Sequence, residues 1–129
     1  MAQIKFFGLA HCLRPRRTSL SVATHACVME VLGLPAGKRA HRFFYLEADD
    51  FLMPEGRTDN YTIIEIQMMQ GRSKETKKRL VKLLFERLRQ DVGIAEQDVE
   101  ITILESAPEN WGFRGLHGDE ASLPYQVNV

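Results

Sequence analysis

Side chains alternate along residues 61–70. Thr62, Ile64, Ile66 and Met68 fall on one side, and Tyr61, Ile63, Glu65, Gln67 and Met69 on the other. A period of two is that of a β-strand, here with one apolar face and one mixed face. The period then changes. Val81, Leu84, Phe85, Leu88 and Val92 recur at helical spacing, with lysines on the other side. Ser73 is the predicted N-cap, Glu75 suits the positive helix start, and Gly93 suits a left-handed stop. The first half reads the same way. Residues 4–9 predict a strand. Pro15 or Thr18 opens a helix that turns Leu20, Ala23, Cys27 and Val31 inward, and Gly33-Leu34-Pro35 ends it. Residues 43–47 and 99–105 predict two further strands.

These elements repeat. Residues 4–9 reappear sixty positions later as residues 64–69, and Gly33-Leu34 reappears as Gly93-Ile94. Residues 44–47 align with residues 102–105, which implies about two extra residues in the first half. Two copies of this length read as duplicated β-α-β units rather than a solenoid. Each unit predicts parallel strands joined by a right-handed crossover. Both helices then cover one sheet face. The opposite face, carrying Glu65 and Gln67, is left for water or a partner subunit. The whole is expected to be one α+β domain spanning residues 1–129. Its units are about 1–60 and 61–106, with a C-terminal extension at 107–129. The loop at residues 48–60 carries Phe51, Leu52 and Met53, which dock on a neighbour or fold back on the chain.

Composition narrows the function. The 129 residues hold 17 Lys and Arg against 17 Asp and Glu, so the net charge is zero and no basic excess points to nucleic acid. No apolar run is long enough to span a membrane, and no signal-peptide pattern opens the chain. Cytoplasmic residence is therefore expected, with Cys12 and Cys27 as reduced thiols. The neutrality is an average. Residues 1–60 carry 8 basic and 6 acidic side chains, residues 61–129 carry 9 and 11, and after Gly93 only Arg114 offsets seven acids. The basic run around Lys77 and Lys78 is expected to be a solvated helix face. His11, Cys12, His25 and Cys27 lack metal-ligand spacing, and no metal or cofactor is expected.

The joint Gly71-Arg72-Ser73, the following amphipathic helix, Gly93-Ile94, residues 98–103 with Glu105, and the Asn110-Trp111-Gly112-Phe113 segment together resemble the tautomerase superfamily. That group includes 4-oxalocrotonate tautomerase, macrophage migration inhibitory factor and malonate semialdehyde decarboxylase. The resemblance implies a mixed four-stranded sheet with two helices on one face, and assembly as a homotrimer. It also implies proton transfer by an amino-terminal proline exposed when the initiator methionine is removed. Here the residue after Met1 is Ala2. Its primary α-amine titrates near pH 8, and burial lowers it further, so it keeps the basicity such chemistry uses. The family's anion-binding arginine falls on Arg72, whose planar fork suits a carboxylate. The decarboxylase branch carries a second arginine where this chain has Gln70, and an aspartate where it has Gly37, Lys38, Arg39 and His41.

Further basic side chains are candidates for the same ligand. Arg39 and Arg42 flank the start of the second strand. Arg14, with Arg16 and Arg17, is expected at the first strand–helix joint, and Arg114 is placed to stack on an aromatic ring. The expected ligand is a small carboxylate-bearing oxo or enol compound, handled by a tautomerase- or isomerase-type enzyme. The alternative is a non-catalytic relative that only binds a small anion or a protein partner.

Overall fold

The computed structural model describes residues 2–129. Four strands form the main sheet: β1 (Ala2–Leu9), β2 (Ala40–Leu46), β3 (Thr62–Met69) and β4 (Val99–Ser106). Their order is β2-β1-β3-β4. β1 runs parallel to β2 and β3 parallel to β4, while the central pair β1 and β3 is antiparallel. Helix α1 (Ala10–Leu32) follows β1, and α2 (Lys74–Arg87) follows β3. A π-turn (Leu88–Val92) extends α2 to Gly93. The extension forms a small hairpin of β5 (Gly112–Phe113) and β6 (Leu116–His117). The mixed sheet and its two helices are the α+β arrangement expected from the duplicated pattern.

The register shows how close the duplication is. Gln3 faces Ala40 across β1 and β2, and Thr62 faces Val99 across β3 and β4, so both crossovers advance 37 positions. Phe44 is thus the equivalent of Leu104, sixty positions apart, and the first half carries no extra residues at this strand. The expected two-residue offset came from matching side-chain types, but backbone pairing sets register.

The core follows from strand alternation. Ala2, Ile4 and Phe6 of β1 and Ile64, Ile66 and Met68 of β3 are buried against Leu20, Cys27 and Val28 of α1 and Leu80, Leu84 and Leu88 of α2. The buried stripe of α2 is centred on Leu80 rather than Val81. Val81 and Phe85 instead line an open groove beside Ile103. Ser73 caps α2 as its sequence predicts, its Oγ accepting the Thr76 N–H at 3.1 Å. Gly33 and Gly93 both take left-handed geometry at the two helix ends, with φ of 72° and 80°.

The start of α1 differs from expectation. The helix begins at Ala10, directly after β1, and runs through Pro15. There is no loop at this joint, so Arg14, Arg16 and Arg17 lie on the first turns of the helix. Arg16 Nη1 donates to the Cys12 carbonyl at 3.2 Å and to Asn60 Oδ1 at 2.9 Å, holding this end against the 48–60 loop. That loop divides its apolar residues. Phe51 folds back onto Tyr61, with ring centroids 5.4 Å apart, while Leu52 is 91% exposed. Buried Asp98 anchors the loop by accepting the Thr58 N–H and hydroxyl.

Candidate functional site

The antiparallel pairing of β1 with β3 decides what lies at each end of the sheet. Ala2, at the start of β1, faces Met68 near the end of β3. The turn at Gln70-Gly71-Arg72-Ser73 therefore begins beside the amino-terminal end of β1. Ala2 is itself 3% exposed. Position 72 comes back toward β3: Arg72 Nη1 donates to the Met69 carbonyl at 3.0 Å.

Arg72 carries the chemistry of this end. It is 5% exposed, yet its Nε and Nη2 make no hydrogen bond among the described residues. These two N–H groups form one side of the guanidinium fork, the edge that takes a carboxylate with two parallel bonds. Glu105 faces Met68 across β4, but its Oε1 is bonded to Lys77 Nζ at 2.8 Å. Burial lowers the Arg72 pKa, and Tyr125 and Glu105 oppose that shift. A buried, charged donor edge with no fixed acceptor costs stability unless a ligand or water meets it.

The C-terminal extension packs against this end. Trp111 is buried, and its Nε1 also lacks an acceptor among the described residues. The backbone of Gly118 brings this segment against Met69: a Cβ on Gly118 would come within 2.7 Å of Met69 Cε and 3.1 Å of Trp111 Cβ. Further on, Val127 and Asn128 press on Gly71, and the Ser73 N–H donates to the Val129 carbonyl at 2.8 Å. Tyr125 lies in this stretch. Burial raises its pKa, while the charges of Arg72 and Arg114 lower it.

The sequence-derived arginines separate. The charges of Arg72 and Arg114 both act on Tyr125. Arg114 lies over the Phe113 ring at 5.3 Å, as its neighbours predict, and donates to the Ser122 carbonyl at 3.0 Å. Arg39 turns toward α1, with Nη1 3.5 Å from Ser21 Oγ. Arg42 reaches Gln3 Oε1 at 3.4 Å, on the sheet face away from the helices. Arg14 is 4.1 Å from the centre of the Tyr45 ring, and Tyr45 faces Gly8 at the far end of β1. Within one chain Arg14 is thus remote from Ala2, because the antiparallel central pair sends the two strand–helix joints to opposite ends. Trp111 belongs to a segment the sequence already singles out, whereas nothing local marks Tyr125, whose effect on Arg72 depends on how the extension folds back.

The class that fold and site define is a duplicated β-α-β protein with a buried arginine, its Nε and Nη2 unbonded among the described residues, beside its amino-terminal strand. Residues 38–114 match the family described as tautomerase enzyme, and the chain belongs to that family. It is 28% identical over 102 residues to the probable tautomerase YusQ of Bacillus subtilis (strain 168), covering 73% of this chain and 78% of that protein. FG41 malonate semialdehyde decarboxylase, solved with the inhibitor 3-bromopropiolate, superposes with a TM-score of 0.77 at 29% identity, covering 86% and 88% of the two chains. The R7 fused 4-OT, an asymmetric trimer, superposes with a TM-score of 0.79 at 16% identity over 91% and 96%.

Proposed function

We propose that this protein is a tautomerase-type enzyme acting on a small carboxylated oxo or enol compound. The observation that carries the reading is the buried Nε/Nη2 edge of Arg72, unspent and next to the start of β1. In this reading Arg72 grips the substrate carboxylate. The Trp111 Nε1–H offers a further donor at the same end. The Ala2 α-amine, once Met1 is removed, takes the enol proton and returns a proton to carbon. The reaction moves one proton and one double bond, so no oxidant or metal is needed. An amine in apolar surroundings titrates below its value in water, which leaves it free to accept that proton near neutral pH.

The assembly belongs to the same reading. The sheet face away from the helices exposes Leu104 and Phe44. Phe44 stacks on Phe7 with centroids 4.8 Å apart. We place this face inside a homotrimer, a reading supported by the likeness to the R7 fused 4-OT, which is a trimer. We assign the protein to the cytoplasm, where Cys12 and Cys27 stay as thiols.

The direct test follows ketonisation of an enolic 2-oxo acid. Arg72→Ala should lower kcat/KM by about a hundredfold or more, the scale of losing a charge-assisted bidentate contact. Arg72→Lys should recover only part of it, because a point charge does not reproduce the fork. Equal rates in wild type and Arg72→Ala would remove the proposal.

A further inference from the structure

The duplication leaves a groove beside each edge strand, and the two have diverged. One is lined by Arg17, Thr18, Ser21, Val22, Arg39, His41 and Phe43, between α1 and β2, with a volume of about 430 Å³. The other is lined by Lys77, Lys78, Val81, Lys82, Phe85 and Ile103, between α2 and β4. Five positions correspond at an offset of sixty: 17 and 77, 18 and 78, 21 and 81, 22 and 82, 43 and 103. Both grooves keep a cation at the first of these.

The fate of that cation differs. In the second half Lys77 is neutralised by Glu105. The equivalent of Glu105 in the first half is Tyr45, because Tyr45 faces Gly8 as Glu105 faces Met68. Arg17 therefore lacks the internal carboxylate its counterpart has. Neither Arg17 nor Arg39 joins an ion pair among the described residues, and no acid lines this groove.

The groove wall beneath the arginines is ordered. Ser21 Oγ lies 2.8 Å from His41 Nδ1 and 3.5 Å from Arg39 Nη1. An arginine N–H only donates. Ser21 thus accepts from Arg39 and shares a second hydrogen bond with the imidazole nitrogen, as donor or acceptor according to the His41 tautomer. His41 packs edge-on to Phe6 and to His25. His25 Nε2 donates to the Ala36 carbonyl at 3.0 Å, which fixes its own ring. Arg39 is held through one nitrogen and keeps the rest of its fork open. Val22, 55% exposed, and Phe43 supply apolar surface in the same groove.

We propose that this groove is a second ligand site, separate from Arg72, that binds a small organic anion. Arg17 and Arg39 take the oxyanion head, Ser21 and His41 position Arg39, and the apolar body lies on Val22 and Phe43. Two unpaired guanidinium groups over a concave, acid-free surface favour an oxyanion, and the apolar patch favours one attached to a short carbon chain.

The test titrates the intact protein with hexanoate, inorganic phosphate and 1-hexanol, reading the NMR signals of the His41 ring and the Val22 methyls. Hexanoate should give saturable shifts with a Kd in the millimolar range or below, about tenfold tighter than either comparator. Arg39→Ala should weaken it about tenfold. Both arginines are exposed, so the variants should fold as the parent does. Arg72→Ala should leave the titration unchanged, which separates this site from the proposed active site. The inference is overturned by any of three results: no saturation by hexanoate, shifts that survive the Arg17→Ala/Arg39→Ala double variant, or loss of binding in Arg72→Ala.

Discussion

Two nitrogen-bearing side chains, one buried and one half-buried, define the molecule at the residue scale, and they were not equally visible. Arg72 was legible because its joint has family form and because arginine at a helix start suits a carboxylate. Its burial was not, since that comes from a tail more than fifty positions away. His41 carried no signal at all. In the structure it is half-buried, its ring edge-on to Phe6 and His25, and it lines a groove with Phe43. Burial first, then the neighbouring His25 and Arg39, push its pKa down from 6.5 to about 4. The unfolded chain takes up a proton near pH 6.5, whereas the native chain resists until about pH 4. Stability is therefore full above pH 6.5 and falls as pH drops through that window. With allowance for partial solvent access, the loss is on the order of 2 kcal/mol. Urea unfolding at pH 7.5 and pH 4.5 should show it, and His41→Phe should flatten the difference. An undiminished pH dependence in that variant would assign the effect elsewhere.

Periodicity found every main strand and both helices at the scale of elements. It also located the cap at Ser73 and the stops at Gly33 and Gly93, because each depends on residues close in sequence. It failed at the start of α1. Proline and threonine are good opening residues, so the sequence predicts the start at Pro15 or Thr18. The chain instead enters the helix at once from Leu9, with Pro15 inside the second turn. It failed again on the route of the tail, which no local rule sets. That route makes a sharp demand at Gly71. Its φ is +143°, and a Cβ there would come within 2.8 Å of both Asn128 Oδ1 and Val127 Cγ1. Gly71→Ala should strain the turn and lift the tail from Arg72. A loss of at least about 1 kcal/mol is expected, together with faster proteolysis after residue 120. Wild-type stability and wild-type protection of the tail would show that the tail does not rest on this joint.

The neutral sum of charges says little at the scale of the whole molecule, but the placement of charge is informative. The central antiparallel pair gives the sheet two unlike ends. Ala2 and Arg72 share one, and Arg14 and Tyr45 the other. The duplication was readable as an offset of sixty, but the consequence for Arg14 was not, because orientation of the two units appears only in the pairing of β1 with β3. The exposed sheet face makes its own prediction. Leu104→Glu places a charge where the homotrimer would bury it. Light scattering should give three chain masses for the wild type and one for the variant, while circular dichroism stays unchanged. A monomeric wild type would contradict the assembly.

The proposed catalysis joins a free amine on Ala2 to the open edge of Arg72, and one comparison reaches it directly. Protein whose amino terminus has been confirmed by mass as Ala2 is assayed for ketonisation of an enolic 2-oxo acid beside protein that retains Met1. Turnover is expected with the Ala2 terminus, lost when Met1 covers it and lost again in Arg72→Ala. Equal turnover with and without Met1, or none in the processed protein, would contradict it.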